Sequence, residues 1–478
     1  MKKILIFLLT ISLLMLSILG LACAPQDTNE NDDDWTEQTM TYPQDPKFVD
    51  FDKLLGKSYF ECQEMSAHDP SIFQDEDGTF YVFSTHGLGA RQVQIRKSED
   101  LIHWQTLPCA IDSSELQEGK TYAGQPNTDV WAPDVIKGAD GKYWLYYSMS
   151  RWGSSRSYIG LAKSDKVTGP YYHDSMVLTS SGGGGPNAID PNVIKDPKTQ
   201  KLYMVYGSFF GGIYIKELDA ATGRAKDQDF GKKLVGGSGM AIEGPYIVYN
   251  REHDNYYLFV SYGSLSSDYN IRVARSAKID GDYIDADGNL LGMMTHLNQN
   301  YGTKILGGYA FTNDPKNELN LGWMAPGHNS VIKANKDWFL AHHVRTYRYG
   351  EGPHIMHIRK MVFNEDGWPA VSPFRYAGQA NNKYSLENLA GDYQLIFQGK
   401  DTVKEPKTAI SVRLNQDGAV TGEITGTFSV WEDGKLSITI QQTCYKGFVE
   451  AAWDNDQKRN TLAVSLIGGG ESILGRRV

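Results

Sequence analysis

Cysteine is scarce in this chain, with four in 478 residues. That excludes a disulfide-built scaffold. Cys62 and Cys109 could pair in an oxidising compartment, but three isolated buried thiols at 62, 109 and 444 are the expectation. Basic residues are also short. Lys and Arg total 47 against 57 Asp and Glu, for a formal charge of −10. A nucleic-acid partner needs a basic face, so that class is excluded. Long apolar runs are missing except for one, Ile4 to Leu21 behind Lys2 and Lys3. It reads as a secretory signal peptide over residues 1–22, with an uncleaved anchor helix as the other reading. Cys23 follows Ala22 as in a bacterial lipoprotein, although Gly20 departs from the usual branched apolar residue. The expected attachment is therefore a lipid on Cys23 and nothing else. The protein would face the periplasm or the outer cell surface. Residues 23–45 are expected to form an acidic, disordered tether. Helical periodicity of useful length is absent as well.

Aromatics and glycine are abundant: 28 Tyr, 10 Trp and 49 Gly. They recur in a pattern. A short turn followed by an aromatic strand appears five times, as in Asp77-Gly78-Thr79-Phe80-Tyr81 and Asp140-Gly141-Lys142-Tyr143-Trp144. Upstream of each lies a second strand opening on a polar residue. Those residues are Asp69, Asp134, Asp190, Glu243 and His328, roughly 53 to 85 residues apart. A third strand completes each unit. Long-period strand repeats mark a radial array, so the expected fold is all-β, a five-bladed propeller over residues 46–376. In that fold the innermost strands line a central channel. Residues 377–390 read as a linker, and 391–478 as a small all-β accessory domain, a sandwich or a barrel.

Carboxyls gathered at a channel suggest glycosidic hydrolysis, which needs one group to protonate the leaving oxygen and another to activate water or attack carbon. A third can raise the acid's pKa, since like charges resist joint ionisation. Asp69, Asp190 and Glu243 are the candidate trio. A lone Asp-Pro is more often a strand-entry turn; recurrence across units argues otherwise. Glu243 sits in the apolar, Gly-flanked stretch Met240-Ala241-Ile242-Glu243-Gly244-Pro245, which would lift a carboxyl pKa. Sugar faces stack on aromatic rings, so Trp131, Trp152 and Phe209 are candidate substrate contacts, with Phe210 more readily read as blade packing. Gly211 would allow close backbone approach. Arg345 and His343 could reach the channel. Asp134 could bond sugar hydroxyls or close its own turn.

The segments His68-Asp69-Pro70-Ser71-Ile72, Asp129 to Val135, Asn187 to Val193, Ala241 to Tyr246 and Pro326 to Ser330 resemble, in order, those of glycoside hydrolase family 43. Within it they are most similar to the endo-α-1,5-L-arabinanases. The resemblance spans residues 65–376. It implies an inverting enzyme on arabinan or arabino-oligosaccharides; a monomer is expected. It also implies Asp69 as general base, Asp190 as the residue that tunes and orients the acid, and Glu243 as general acid. His328 matches a histidine that touches a metal, calcium, in the channel. Exo-acting α-L-arabinofuranosidases and β-xylosidases share the trio. A surface lipoprotein that binds glycan without cutting it is the reading from a different class.

Overall fold

The computed structural model describes residues 40–48, 66–85, 92–124, 129–183, 185–237, 239–294, 300–312, 322–347 and 354–478. The expected signal peptide, Cys23 and Cys62 lie outside these residues. Among them no helix is long and apolar enough to cross a membrane.

Five antiparallel sheets are arranged radially. Their inner strands are His68–Gln74, Trp131–Lys137, Asn192–Lys195, Ile242–Asn250 and Trp323–Ala334. Inner strands pack in a ring, and the last, Trp323–Ala334, lies against the first, His68–Gln74. The second strands are the aromatic ones. Phe80–Thr85 and Tyr143–Met149 are buried along their whole length, because each is covered by neighbouring blades on both faces. The turns behave as their Asp-Gly pairs dictate: Gly78 and Gly141 take φ of 88° and 78°, where a Cβ is unfavourable.

Four inner strands break register as they open, between His68 and Ser71, Trp131 and Asp134, Glu243 and Tyr246, and Met324 and Asn329. Such bulges re-aim side chains. At the matching point of each blade one residue is driven into the left-handed region: Asp69 (φ 51°), Ala132 (35°), Asp190 (58°), Gly244 (57°) and His328 (43°). These five are the equivalent positions. The sequence reading had aligned Asp134 and Glu243 with Asp69; the backbone corrects this. Glu243 lies one residue earlier, level with His68, Trp131, Ile189 and Gly327. Asp134 lies two residues later, level with Ser71, Asn192, Tyr246 and Ser330.

That later level forms a hydrogen-bonded belt between blades. Val193 N–H donates to Asp134 Oδ2 at 2.6 Å, Ile247 N–H to Asn192 Oδ1 at 2.9 Å, and Ile72 N–H to Ser330 Oγ at 3.0 Å. Val331 N–H donates to the Tyr246 hydroxyl. Ser71 Oγ, in turn, donates to Asp134 Oδ1 at 2.6 Å. Each link joins one blade to the next, and the pair between Ser330 and Ile72 closes the circle.

The accessory domain is a closed eight-stranded antiparallel barrel running from Gly391–Phe397 to Glu471–Arg477, which decides between the two expected forms. It is joined to blade 5 by main chain, where Tyr309–Ala310 pairs in parallel with Lys407–Thr408. A shared core runs across the seam, with Phe259, Trp323 and Val371 packed among Ile396, Phe448 and Leu474. The expected linker contributes buried residues of its own, Gln379, Tyr384 and Leu389. Residues 40–45, placed in the tether by composition, pack on this barrel. Thr41 N–H donates to Asn382 Oδ1 at 2.7 Å, and Met40 and Tyr42 cover its core. The thiols differ from expectation too. Cys109 is free, so it does not pair with Cys62, and Cys444 is disulfide-bonded as an oxidising compartment permits.

Asp134→Ala would strand the donors of Ser71, Asn192 and Val193. The expected loss is roughly 3 kcal/mol of stability, at about 1–3 kcal/mol for each buried group left unpaired. Urea unfolding measures it, and a change below about 0.5 kcal/mol would mean the belt carries no such weight.

Candidate active site

The channel mouth has three tiers, each set by a backbone position. The upper tier, one residue before the left-handed turn, points Trp131, Ile189 and Glu243 into a cavity of about 410 Å³. Arg151, Trp152, Phe209, Phe210, Leu265 and Asp268 complete much of its wall. Trp152 is 79 % exposed and Phe210 41 %, a large apolar surface left open to solvent. The left-handed tier holds Asp69, Asp190 and His328. The belt forms the floor.

Asp69 is buried and crowded with donors. Thr85 Oγ1 donates to its Oδ2 at 2.7 Å. His68 Nδ1 lies 3.1 Å from Oδ2, and His328 Nδ1 lies 3.1 Å from Oδ1. Its own N–H donates to His343 Nδ1 at 3.2 Å. Burial alone would raise its pKa, but the imidazoles of His68 and His328 outweigh it and hold the carboxyl well below the usual range. Asp69 is therefore an anion at neutral pH.

Glu243 and Asp190 go the other way. Burial raises both, and the charges of Glu243 and Asp69 add to the rise at Asp190. Asp190 is tied by its backbone N–H to Ser148 Oγ at 3.1 Å, and its Oδ2 accepts Gly244 N–H at 3.2 Å. It thus grips the residue next to Glu243. Glycine suits position 244, since a Cβ would meet the His328 ring at a tight 3.1 Å in a left-handed backbone. Glu243 Oε2 accepts from Ser208 Oγ at 2.7 Å, and Oε1 accepts from the Tyr269 hydroxyl. One carboxyl drawn down beside another pushed up is the electrostatic signature of an acid–base pair.

The site gathers the three carboxyls, Trp131, Trp152 and Phe209 as the sequence suggested. It does not use the others that way. Asp134 has both oxygens committed to the belt, and burial pushes it up to about 6 despite those bonds. Gly211 is not in the cavity wall; its missing side chain admits the Gly185–Pro186 backbone, which a Cβ would meet at 2.3 Å. Arg345 is buried, and its Nε donates to His354 Nε2 at 3.2 Å. Sequence reasoning passed over Ser208, Thr85 and Tyr269. Ser208 and Thr85 end aromatic strands, which was an available signal; Tyr269 had none.

Two groups could bear on a metal. His68, His343 and His354 bring nitrogens within 4.8 Å of one another, but Nδ1 of His343 is taken by Asp69, and a nitrogen set does not suit calcium. His328 fits better. Its Nδ1 donates to the Asp69 carboxylate, and Nε2 makes no hydrogen bond among the described residues. A carboxylate that orients an imidazole in this way is a common support for a metal-ligating histidine.

Propeller, cavity and carboxyl group together describe a carbohydrate-cleaving enzyme, and comparison with known proteins agrees. Residues 63–369 match Glycosyl hydrolases family 43, and residues 373–475 match its C-terminal lipocalin-like domain. The chain belongs to glycoside hydrolase family 43. It is 38 % identical over 451 residues to extracellular endo-α-(1→5)-L-arabinanase 2 of Bacillus subtilis, covering 87 % of this chain and 93 % of that protein. The crystal structure of an endo-1,5-α-L-arabinanase from Thermotoga petrophila superposes with a TM-score of 0.81 at 35 % identity, covering 87 % of this chain and 98 % of that one. An extracellular exo-α-(1→5)-L-arabinofuranosidase of Cellvibrio japonicus is 30 % identical over 334 residues, covering 65 % of this chain and 87 % of that protein.

Proposed function

We propose that this enzyme is an inverting endo-α-1,5-L-arabinanase. The observation that carries the reading is the opposed tuning of Asp69 and Glu243 at an open cavity with aromatic walls. In the reaction, Asp69 takes a proton from water. The water oxygen attacks the anomeric carbon as the bond to the leaving oxygen breaks. Glu243 gives its proton to that oxygen, and the product anomer is inverted. Asp190 supports the acid through charge and through its hold on Gly244. Trp131, Trp152 and Phe209 offer faces for successive sugar rings. The Bacillus and Thermotoga relatives, endo-arabinanases by name and matched over most of their length, support the substrate. Open aromatic walls suit a chain that continues past the site.

The test is linear arabinan with wild type and Glu243→Ala. Wild type is expected to release arabino-oligosaccharides of inverted configuration, and the variant to lose roughly 10²–10⁴ of the rate. Arabinose alone from the first minutes would favour the exo reading. Uncut arabinan that still binds would favour a glycan-binding protein.

The cation proposed at the channel is calcium. His328 Nε2 would hold it, with waters completing an oxygen-rich shell. When bound, it would supply fixed positive charge beside the three carboxyls. Calorimetry is expected to show calcium binding to wild type and its loss in His328→Ala. A wild type that takes up no calcium would end the proposal.

The protein is further proposed to be a monomeric, secreted lipoprotein carried on Cys23. Wild type should sediment with membranes, and Cys23→Ala should be soluble. Wild type already soluble after secretion would refute the anchor.

A further inference from the structure

Tyr269 is 2 % exposed and lies at the end of a tight turn, its N–H donating to Ser264 O at 3.0 Å. It is not among the residues of the cavity wall. Its hydroxyl nevertheless donates to Glu243 Oε1, while Ser208 Oγ takes Oε2 at 2.7 Å. Two hydroxyls on different blades thus fix both oxygens of one carboxyl. Each oxygen keeps a second lone pair, and a proton can sit only there.

The ring is fixed as firmly as the hydroxyl. It stacks on His343 at 5.8 Å between centroids and 8° between planes. On the Gly327 side a Cβ would stand 1.7 Å from Tyr269 Cδ2. Any larger residue at 327 would evict the ring. Blade 5 therefore holds Tyr269 against a histidine and a glycine that pair across two of its strands. That same histidine accepts the N–H of Asp69 at 3.2 Å. Glu243, Tyr269, His343 and Asp69 form one unbroken chain of contacts.

We propose that Tyr269 is a positioning residue: its hydroxyl turns Glu243 so that the acid's proton faces the cavity, and its clamped ring fixes that orientation relative to Asp69. The inference rests on the reading of Glu243 as the general acid. A hydroxyl holding a carboxyl is of no use where the leaving group departs without a proton. The contribution of Tyr269 should therefore depend on the leaving group, which mere support of the fold would not.

Tyr269→Phe keeps the ring and deletes the hydroxyl. On linear arabinan kcat should fall roughly ten- to hundredfold, the effect of losing a hydrogen bond to the carboxylate charge that develops on Glu243 as it gives up its proton. KM should stay within about twofold, since no substrate contact is removed. On an arabino-oligosaccharide bearing a dinitrophenyl leaving group, kcat should stay within about threefold of wild type, because protonation is no longer needed. An equal loss on both substrates, or no loss on arabinan, would overturn the proposal. The infrared carboxyl band of Glu243, isolated by difference from Glu243→Gln, needs no turnover. It should shift in Tyr269→Phe, and an unmoved band also overturns the proposal. If wild type leaves arabinan uncut while the band shifts, the functional reading falls and the contact stands.

Discussion

Everything at the channel mouth depends on the belt of inter-blade hydrogen bonds. A propeller blade is a twisted sheet with little reason to stop at one angular position against its neighbour. Apolar packing alone is tolerant of sliding. The donors Val193, Ile247, Val331 and Ile72 N–H are directional, and each is accepted by a side chain of the preceding blade. Because their acceptors lie two residues below the left-handed turns, these bonds set the height and rotation of every side chain above. The costs of burial enforce this, since an unmade bond in that layer strands a polar group away from water.

The turns above the belt convert shared geometry into different chemistry. Five residues adopt the same unfavourable conformation, and only Gly244 adopts it without penalty. Strain of that kind persists where surroundings over-determine it. Here it lets consecutive residues point to different tiers, so that Asp190 looks inward while Ile189 looks out. The electrostatics follow from placement. Imidazoles collect around Asp69 and draw its pKa down, while burial pushes that of Glu243 up against the pull of the Tyr269 and Ser208 hydroxyls.

Much of this was legible in the residues. The repeated turn and aromatic strand fixed the number of blades, and the carboxyls at Asp69, Asp190 and Glu243 could be picked out by their recurrence. What failed was the alignment between blades. Counting from the polar residue made Asp134 an equivalent of Asp69, when the proline positions, Pro70, Pro133, Pro191 and Pro245, already pointed to Ala132. A belt residue and a site residue look alike in sequence, because both are short acceptors near a strand start. Tyr269 was invisible for another reason. It belongs to a turn, and its importance comes from contacts with Glu243, Gly327 and His343, each far away along the chain.

The parallel pairing of Tyr309–Ala310 with Lys407–Thr408 bears on how such enzymes can change over evolutionary time. An appended domain joined by a flexible tether can be lost, duplicated or traded without disturbing its host. Here the barrel completes a sheet of the host and shares its apolar interior, so its removal from this chain would bare a strand edge and an apolar face that a propeller standing alone must cover in some other way.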